Sequence, residues 1–167
     1  NRARHQGVDQ IQSMQRHGSL TDTLSEFEEK IRVLVIGRQG EAHEAFSNAI
    51  GSHIESVIRT LHRPVLVVAE GFTTPTRFML AYDGSETANK ALQLVSESPL
   101  LNALECHLVA VKTQSSGAIE DALERASEQL HTAGFSVSTA MLEGAVVDSL
   151  IEYQKTRSID LTIMGAY

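Results

Sequence analysis

Two short stretches of this 167-residue chain combine residue types that suit anion or ligand binding. The first is Gly37-Arg38-Gln39-Gly40, then the ten residues from Glu41 to Ile50, then Gly51-Ser52; it follows the apolar run Val33-Leu34-Val35-Ile36. Glycines let backbone N–H groups approach phosphate oxygens, and a helix N-terminus behind such a loop adds partial positive charge. Gly37, Gly40, Gly51 and Ser52 supply those elements, and Arg38 adds a cation. Turn chemistry alone also accounts for Gly37 and Gly40, and Ser52-x-x-Glu55 reads equally as a helix capping box. The second stretch, Asp83-Gly84-Ser85, directly follows an apolar run from Phe78 to Tyr82. A carboxylate there stands at the C-terminal end of a strand, where open α/β sheets bind ligands. The plainer reading is an Asp-Gly-Ser turn that caps the helix starting at Glu86.

Other chemistry is poorly represented. There is no G-x-S-x-G nucleophile elbow and no G-x-x-x-x-G-K-[S/T] loop. The Gly-rich loop lacks the lysine that a P-loop places on the β/γ-phosphates, so efficient phosphoryl transfer is not expected. The seven histidines show no metal-ligand spacing, and His43 and His53 read as surface residues. Cys106 sits in an apolar run and is expected to be inert.

The elements that must position these residues appear twice. Gly18-Ser19-Leu20-Thr21-Asp22-Thr23-Leu24-Ser25-Glu26-Phe27 matches Gly144-Ala145-Val146-Val147-Asp148-Ser149-Leu150-Ile151-Glu152-Tyr153 in register, and each segment runs on to a short apolar stretch ending in Gly37 or Gly165. Leu20, Leu24 and Phe27 share a helical face, as do Val146, Leu150 and Tyr153, so a helix followed by a buried strand is expected in both copies. Elsewhere the pattern predicts the end of a helix over 8–16, helices over 18–30 and 53–61, and strands over 33–36 and 64–68. It places a loop over 38–50 and a linker over 70–76. Strands follow over 78–82, 106–111 and 135–141, with helices over 86–96 and 119–133. Alternating strands and helices, with strands apolar throughout, indicate a doubly wound, Rossmann-like parallel α/β sheet with helices on both faces.

Composition narrows the partners. Hydrophobic residues make up 42% of the chain, which argues against disorder. A formal charge of -7 disfavours nucleic acid. One cysteine allows no internal disulfide and points to a reducing compartment. No apolar run approaches the roughly 20 residues of a membrane helix, and the opening Asn1-Arg2-Ala3-Arg4-His5 has no signal core. A cytoplasmic protein is expected.

Three motifs, in order and spacing, resemble the universal stress protein family. Tyr82-Asp83-Gly84-Ser85-Glu86-Thr87-Ala88, with Ala91 and Leu92, looks like the opening of such a domain. The Gly37 to Ser52 stretch resembles the family's G-x2-G-x9-G-[S/T] nucleotide loop, though with ten residues where the family has nine. His62-Arg63-Pro64-Val65-Leu66-Val67-Val68 is similar to its closing strand. With the repeat, the resemblance covers nearly the whole chain. It implies an adenine nucleotide alpha hydrolase-like fold that binds ATP or AMP, optionally with Mg2+, without strong catalysis. Asp83 would contact the nucleoside, the backbone at Val111 the adenine, and Gly37, Arg38, Gly40, Gly51, Ser52 and, in the second copy, Gly165 the phosphates. The alternative it leaves open is a member without nucleotide that acts by protein interaction. Pairing through the edge strand from Pro64 to Val68 is implied in either case, as a homodimer or an intramolecular pseudo-dimer. Slow ATP hydrolysis, or an adenylating enzyme of related fold, is the least favoured reading.

The repeat also sets an expected organisation. Residues 1–70 correspond to the C-terminal part of one domain, 71–76 to a linker and 77–167 to the N-terminal part of a second, so a tandem incomplete at both ends is expected. A circularly permuted single fold is the alternative: seven residues from Glu70 to Thr76 stretch to roughly 23 Å at about 3.3 Å each.

Overall fold

The computed structural model describes residues 2–37, 49–68, 71, 73–112 and 119–166; for residue 2 and residues 49–53 it describes the backbone only. The chain divides into two compact units, Asn1–Glu70 and Gly71–Tyr167.

The second unit holds the larger sheet. Its elements in order are β3 (Arg77–Ala81), α4 (Glu86–Ser96), β4 (Glu105–Lys112), α5 (Ile119–Thr132), β5 (Val137–Glu143), α6 (Val146–Thr156) and β6 (Leu161–Met164). The strands are all parallel, in the order β5-β4-β3-β6. Strands of this kind bury both faces, which is why β3 and β4 are apolar runs. Phe78, Leu80, Cys106, Leu108 and Ala110 point to one face, where Ala88, Ala91, Leu92 and Val95 of α4 and Leu123, Ala126 and Leu130 of α5 cover them. Phe78 meets Phe135 edge-on, with ring centroids 5.9 Å apart. The alternate residues Met79 and Val109 point to the other face, under Leu150 and Tyr153 of α6. The doubly wound arrangement expected from the sequence is therefore the one observed.

The first unit contains α1 (Arg2–His5), α2 (Leu20–Phe27), a 3-10 turn (Glu28–Lys30), β1 (Leu34–Gly37), α3 (Ala49–Thr60) and β2 (Val65–Val68). β1 and β2 pair in parallel, Leu34 with Val65 through Gly37 with Val68. A helix, α3, spans the crossover, as parallel pairing requires. The repeat is visible in the fold: α2 leads to β1 as α6 leads to β6.

Two expectations are corrected. Residues 8–16 are not helical; the helix stops at His5, and Gly7 follows at φ 83°. Val8, Ile11 and Met14 are exposed, so no buried apolar face offsets the cost of ordering a helix there. The helix expected from His53 begins at Ala49, so Ser52 lies within it and is not its N-cap. Ala49 is a good helix former and extends the helix upstream of the capping-box position. The loop expected over 38–50 falls mostly outside the described residues.

Candidate functional site

The strand order fixes where a ligand crevice can form. From β3 the chain crosses to β4 on one side, and β6 returns to pair on the other. The C-terminal ends of β3 and β6 therefore flank the topological switch point, the usual binding crevice of open α/β sheets. Asp83 lies two residues beyond β3, and Gly165 directly follows β6.

The turn after β3 is tightly held. Gly84 has φ 77°, a left-handed conformation that suits glycine. The Asp83 Oδ1 accepts from the Ser85 N–H at 2.9 Å. Ser85 is the N-cap of α4, its Oγ accepting from the Ala88 N–H at 3.2 Å. The Asn89 amide donates to the carbonyls of Gly84 (3.1 Å) and Ser85 (2.9 Å), and accepts from the Tyr82 hydroxyl at 2.8 Å. So the plainer reading of Asp-Gly-Ser, a capping turn, describes what these side chains do. Asp83 nevertheless remains exposed. The Ser85 hydroxyl first, then the N–H groups of Ser85 and of Asp83 itself, hold the Asp83 carboxyl below its ordinary value, against burial, which opposes them. An ionised, exposed carboxylate at this place can accept hydrogen bonds from sugar hydroxyls.

Gly165 brings β6 against the first turn of α4. A Cβ built there would lie 2.6 Å from the Thr87 carbonyl carbon, 2.7 Å from the Ala88 nitrogen and 2.8 Å from the Thr87 oxygen. Only glycine fits so close to the start of α4. Val111, near the C-terminal end of β4, pairs with Leu142 of β5 and is half-buried. Beyond it, Lys112 is paired with Glu120 at 3.2 Å.

Thus Asp83 and Gly165 come together at one crevice, with Val111 on the next strand. Gly37 closes β1 in the first unit. Arg38 and Gly40 lie outside the described residues. Gly51 and Ser52 are helical in backbone, and the Ser52 side chain lies outside the description. What the described residues offer a ligand at the switch point is one exposed acceptor carboxylate, that of Asp83. For a metal, no cluster of three or more His, Cys, Asp or Glu is found among the described residues.

A second polar cluster escaped the sequence reading. At the opposite, N-terminal end of the sheet, His107 is buried, its Nδ1 2.9 Å from the Tyr153 hydroxyl and its Nε2 3.2 Å from Glu105 Oε1. Glu105 also accepts from Arg77 Nε at 2.8 Å. Asp160 accepts from the Thr76 N–H, the Thr76 hydroxyl and the Arg77 N–H. The one signal for it was a polar residue inside the apolar run Cys106-His107-Leu108. Cys106 itself is fully buried, and burial pushes its thiol up to about 12, in line with an inert role. No described helix is long and apolar enough to cross a membrane.

No family model matches the chain. It is 33% identical over 162 residues to a universal stress protein of Synechocystis, Slr1230; the alignment covers 96% of this chain and 56% of that protein. The chain thus spans about half the length of the curated relative it matches. Among solved structures, a universal stress protein from Archaeoglobus fulgidus is similar with a TM-score of 0.69 at 18% identity, covering 87% of this chain and 54% of that one. That likeness concerns the fold. A universal stress protein crystallised in complex with cAMP aligns at 19% identity over 54% of this chain and 71% of its own, with a TM-score of 0.45. The sequence likeness over nearly the whole chain, with the shared α/β fold, supports membership of the universal stress protein family.

Proposed function

We propose that this chain is a non-catalytic adenine-nucleotide-binding stress protein. The observation that carries the reading is the convergence of Asp83 and Gly165 at the switch point between β3 and β6, beside the N-terminus of α4. In this reading Asp83 accepts from the ribose, the backbone at Val111 meets the adenine, and the backbone at Gly165 meets the phosphates. Gly37, Arg38, Gly40, Gly51 and Ser52 play the corresponding phosphate role in the other copy. ATP or AMP is the ligand, with Mg2+ accompanying ATP, and occupancy rather than turnover is the output. Residues 1–70 and 77–167 then represent the later part of one family unit and the earlier part of another.

Calorimetric titration with ATP and AMP, together with mass spectrometry of nucleotide retained through purification, tests this. Asp83→Asn keeps an acceptor for the Ser85 N–H and removes the charge, so it should weaken binding without unfolding the turn. Gly40→Val tests the other copy. Absence of binding in the parent chain, or unchanged affinity in both variants, refutes the assignment.

A second reading is favoured by one observation. Val35 and Val67, on opposite faces of the β1–β2 pair, are both exposed, so each face of the pair leaves an apolar side chain that another element or subunit could cover. Pairing of two copies through the Pro64 to Val68 strand, with no nucleotide, would follow. Sedimentation at several concentrations, with and without ATP, separates the two.

A further inference from the structure

Away from the crevice, the second unit carries an open groove of about 380 Å³ between α5 and the outer edge of β5. β5 pairs only with β4 among the described residues, so its other edge is free. The direction of its backbone groups follows from one bond. Cys106, which pairs with Val137, donates its N–H to the Ser136 carbonyl at 3.1 Å. Parallel ladders alternate, so Ser138, Ala140 and Leu142 turn their backbone groups toward β4. Thr139 and Met141 turn theirs outward, into the groove they line. An edge of seven residues without proline is open to strand addition.

The groove has a chemical character. Its floor is apolar, from Leu123 and Met141. Its rim is the row Glu120, Glu124 and Glu128, all exposed, on one face of α5. Four residues of helix advance about 6 Å, and two residues of extended chain advance about 6.6–6.8 Å. A strand added to β5 directs every second side chain toward α5, so its spacing matches that of the carboxylates. Glu120 has Lys112 beside it, which leaves Glu124 and Glu128 as the stronger attractors.

We propose that this groove binds an extended basic peptide by strand addition to β5, with lysine or arginine at alternate positions facing Glu120, Glu124 and Glu128. The free edge supplies affinity through backbone bonds, and the acidic row excludes acidic segments.

The probe is a fluorescein-labelled peptide, acetyl-Thr-Lys-Val-Lys-Val-Lys-Thr-amide, with a control carrying Glu for each Lys. Fluorescence anisotropy on the whole chain should show saturable binding of the basic peptide alone, weakening as salt rises. The double variant Glu124→Lys/Glu128→Lys changes only exposed side chains and should weaken binding about tenfold. Thr139→Pro removes an outward N–H and leaves the inward ladder intact; it too should weaken binding about tenfold. If it does not fold, hydrogen exchange decides the same point, because the Thr139 and Met141 amides should slow only when peptide is present. No saturation, equal binding of the acidic control, or unchanged affinity in the glutamate variant overturns the proposal. So does protection of those amides by rising protein concentration without peptide, which would assign the edge to a second copy.

Discussion

Gly165→Ala is the sharpest test of how the crevice is built. The added methyl would sit 2.6–2.8 Å from three backbone atoms of Thr87 and Ala88, whereas unstrained carbon contacts lie near 3.5–4.0 Å. About 1 Å of overlap must be relieved, and neither side yields readily. The start of α4 is held by the Ser85 cap and the Asn89 amide. β6 is held by its ladder with β3, from Phe78 with Leu161 to Ala81 with Met164. Overpacking of this kind costs about 2–3 kcal/mol. For a unit of this size that lowers Tm by about 8–24 °C, at about 4–8 °C per kcal/mol. Gly134→Ala is the comparison: Gly134 has φ 92° and open space around its missing Cβ, so its penalty is conformational alone, about 1–2 kcal/mol. Urea melts followed by tyrosine circular dichroism would rank the two variants. A Gly165→Ala midpoint equal to that of the parent, or higher than that of Gly134→Ala, would refute the close approach of β6 to α4.

Three further outcomes are expected. Cys106, buried and with its thiol pushed up to about 12, should not react with Ellman's reagent at pH 8 until the chain is unfolded; rapid labelling of folded protein would contradict its burial. Tyr153→Phe removes the hydroxyl 2.9 Å from buried His107 and should cost about 1–2 kcal/mol in urea melts, while an unchanged midpoint would show that the bond contributes nothing. Asp83 and Asp160 are both held below the ordinary carboxylate value, Asp83 by Ser85 and Asp160 by the Thr76 and Arg77 N–H groups. A lowered folded-state value means their contribution is present above the unfolded value of about 3.9 and is lost as pH falls through the folded one. The urea midpoint should therefore drop below about pH 4, and Asp160→Asn should flatten that drop; an unaltered pH profile would count against the Asp160 bonds.

The sheet was legible because its central strands are buried on both faces and read as apolar runs, as in Phe78 to Ala81 and, His107 apart, Cys106 to Val111. The helix over Glu86–Ser96 was placed to the residue because Ser85 caps it locally. Where local signals had no tertiary support they misled. The apolar residues of 8–16 found no face to bury, and the capping box at Ser52 lost to helical residues upstream. The positions of Asp83 and Gly165 followed from strand ends. The reason Gly165 is glycine did not, because the backbone it meets belongs to Thr87 and Ala88, far away in the chain. His107 was overlooked for a similar reason: its partner Tyr153 is 46 residues distant, and a lone histidine in a strand announces no partner.

The β3–β6 ladder also has a consequence during synthesis. Phe78 pairs with Leu161, so 83 residues must leave the ribosome between the two strands. At about 5–20 residues per second that is a wait of roughly 4–17 s. Even after β4 has been made and paired, β3 offers an apolar border of unsatisfied amides on its other side to any nascent chain nearby. The same wait applies to Asp160, whose carboxylate secures the backbone of Thr76 and Arg77 at the opening of β3. This interior strand is thus the first of its unit to be made and waits until β6 to be enclosed, and holdase chaperones have their longest opportunity there.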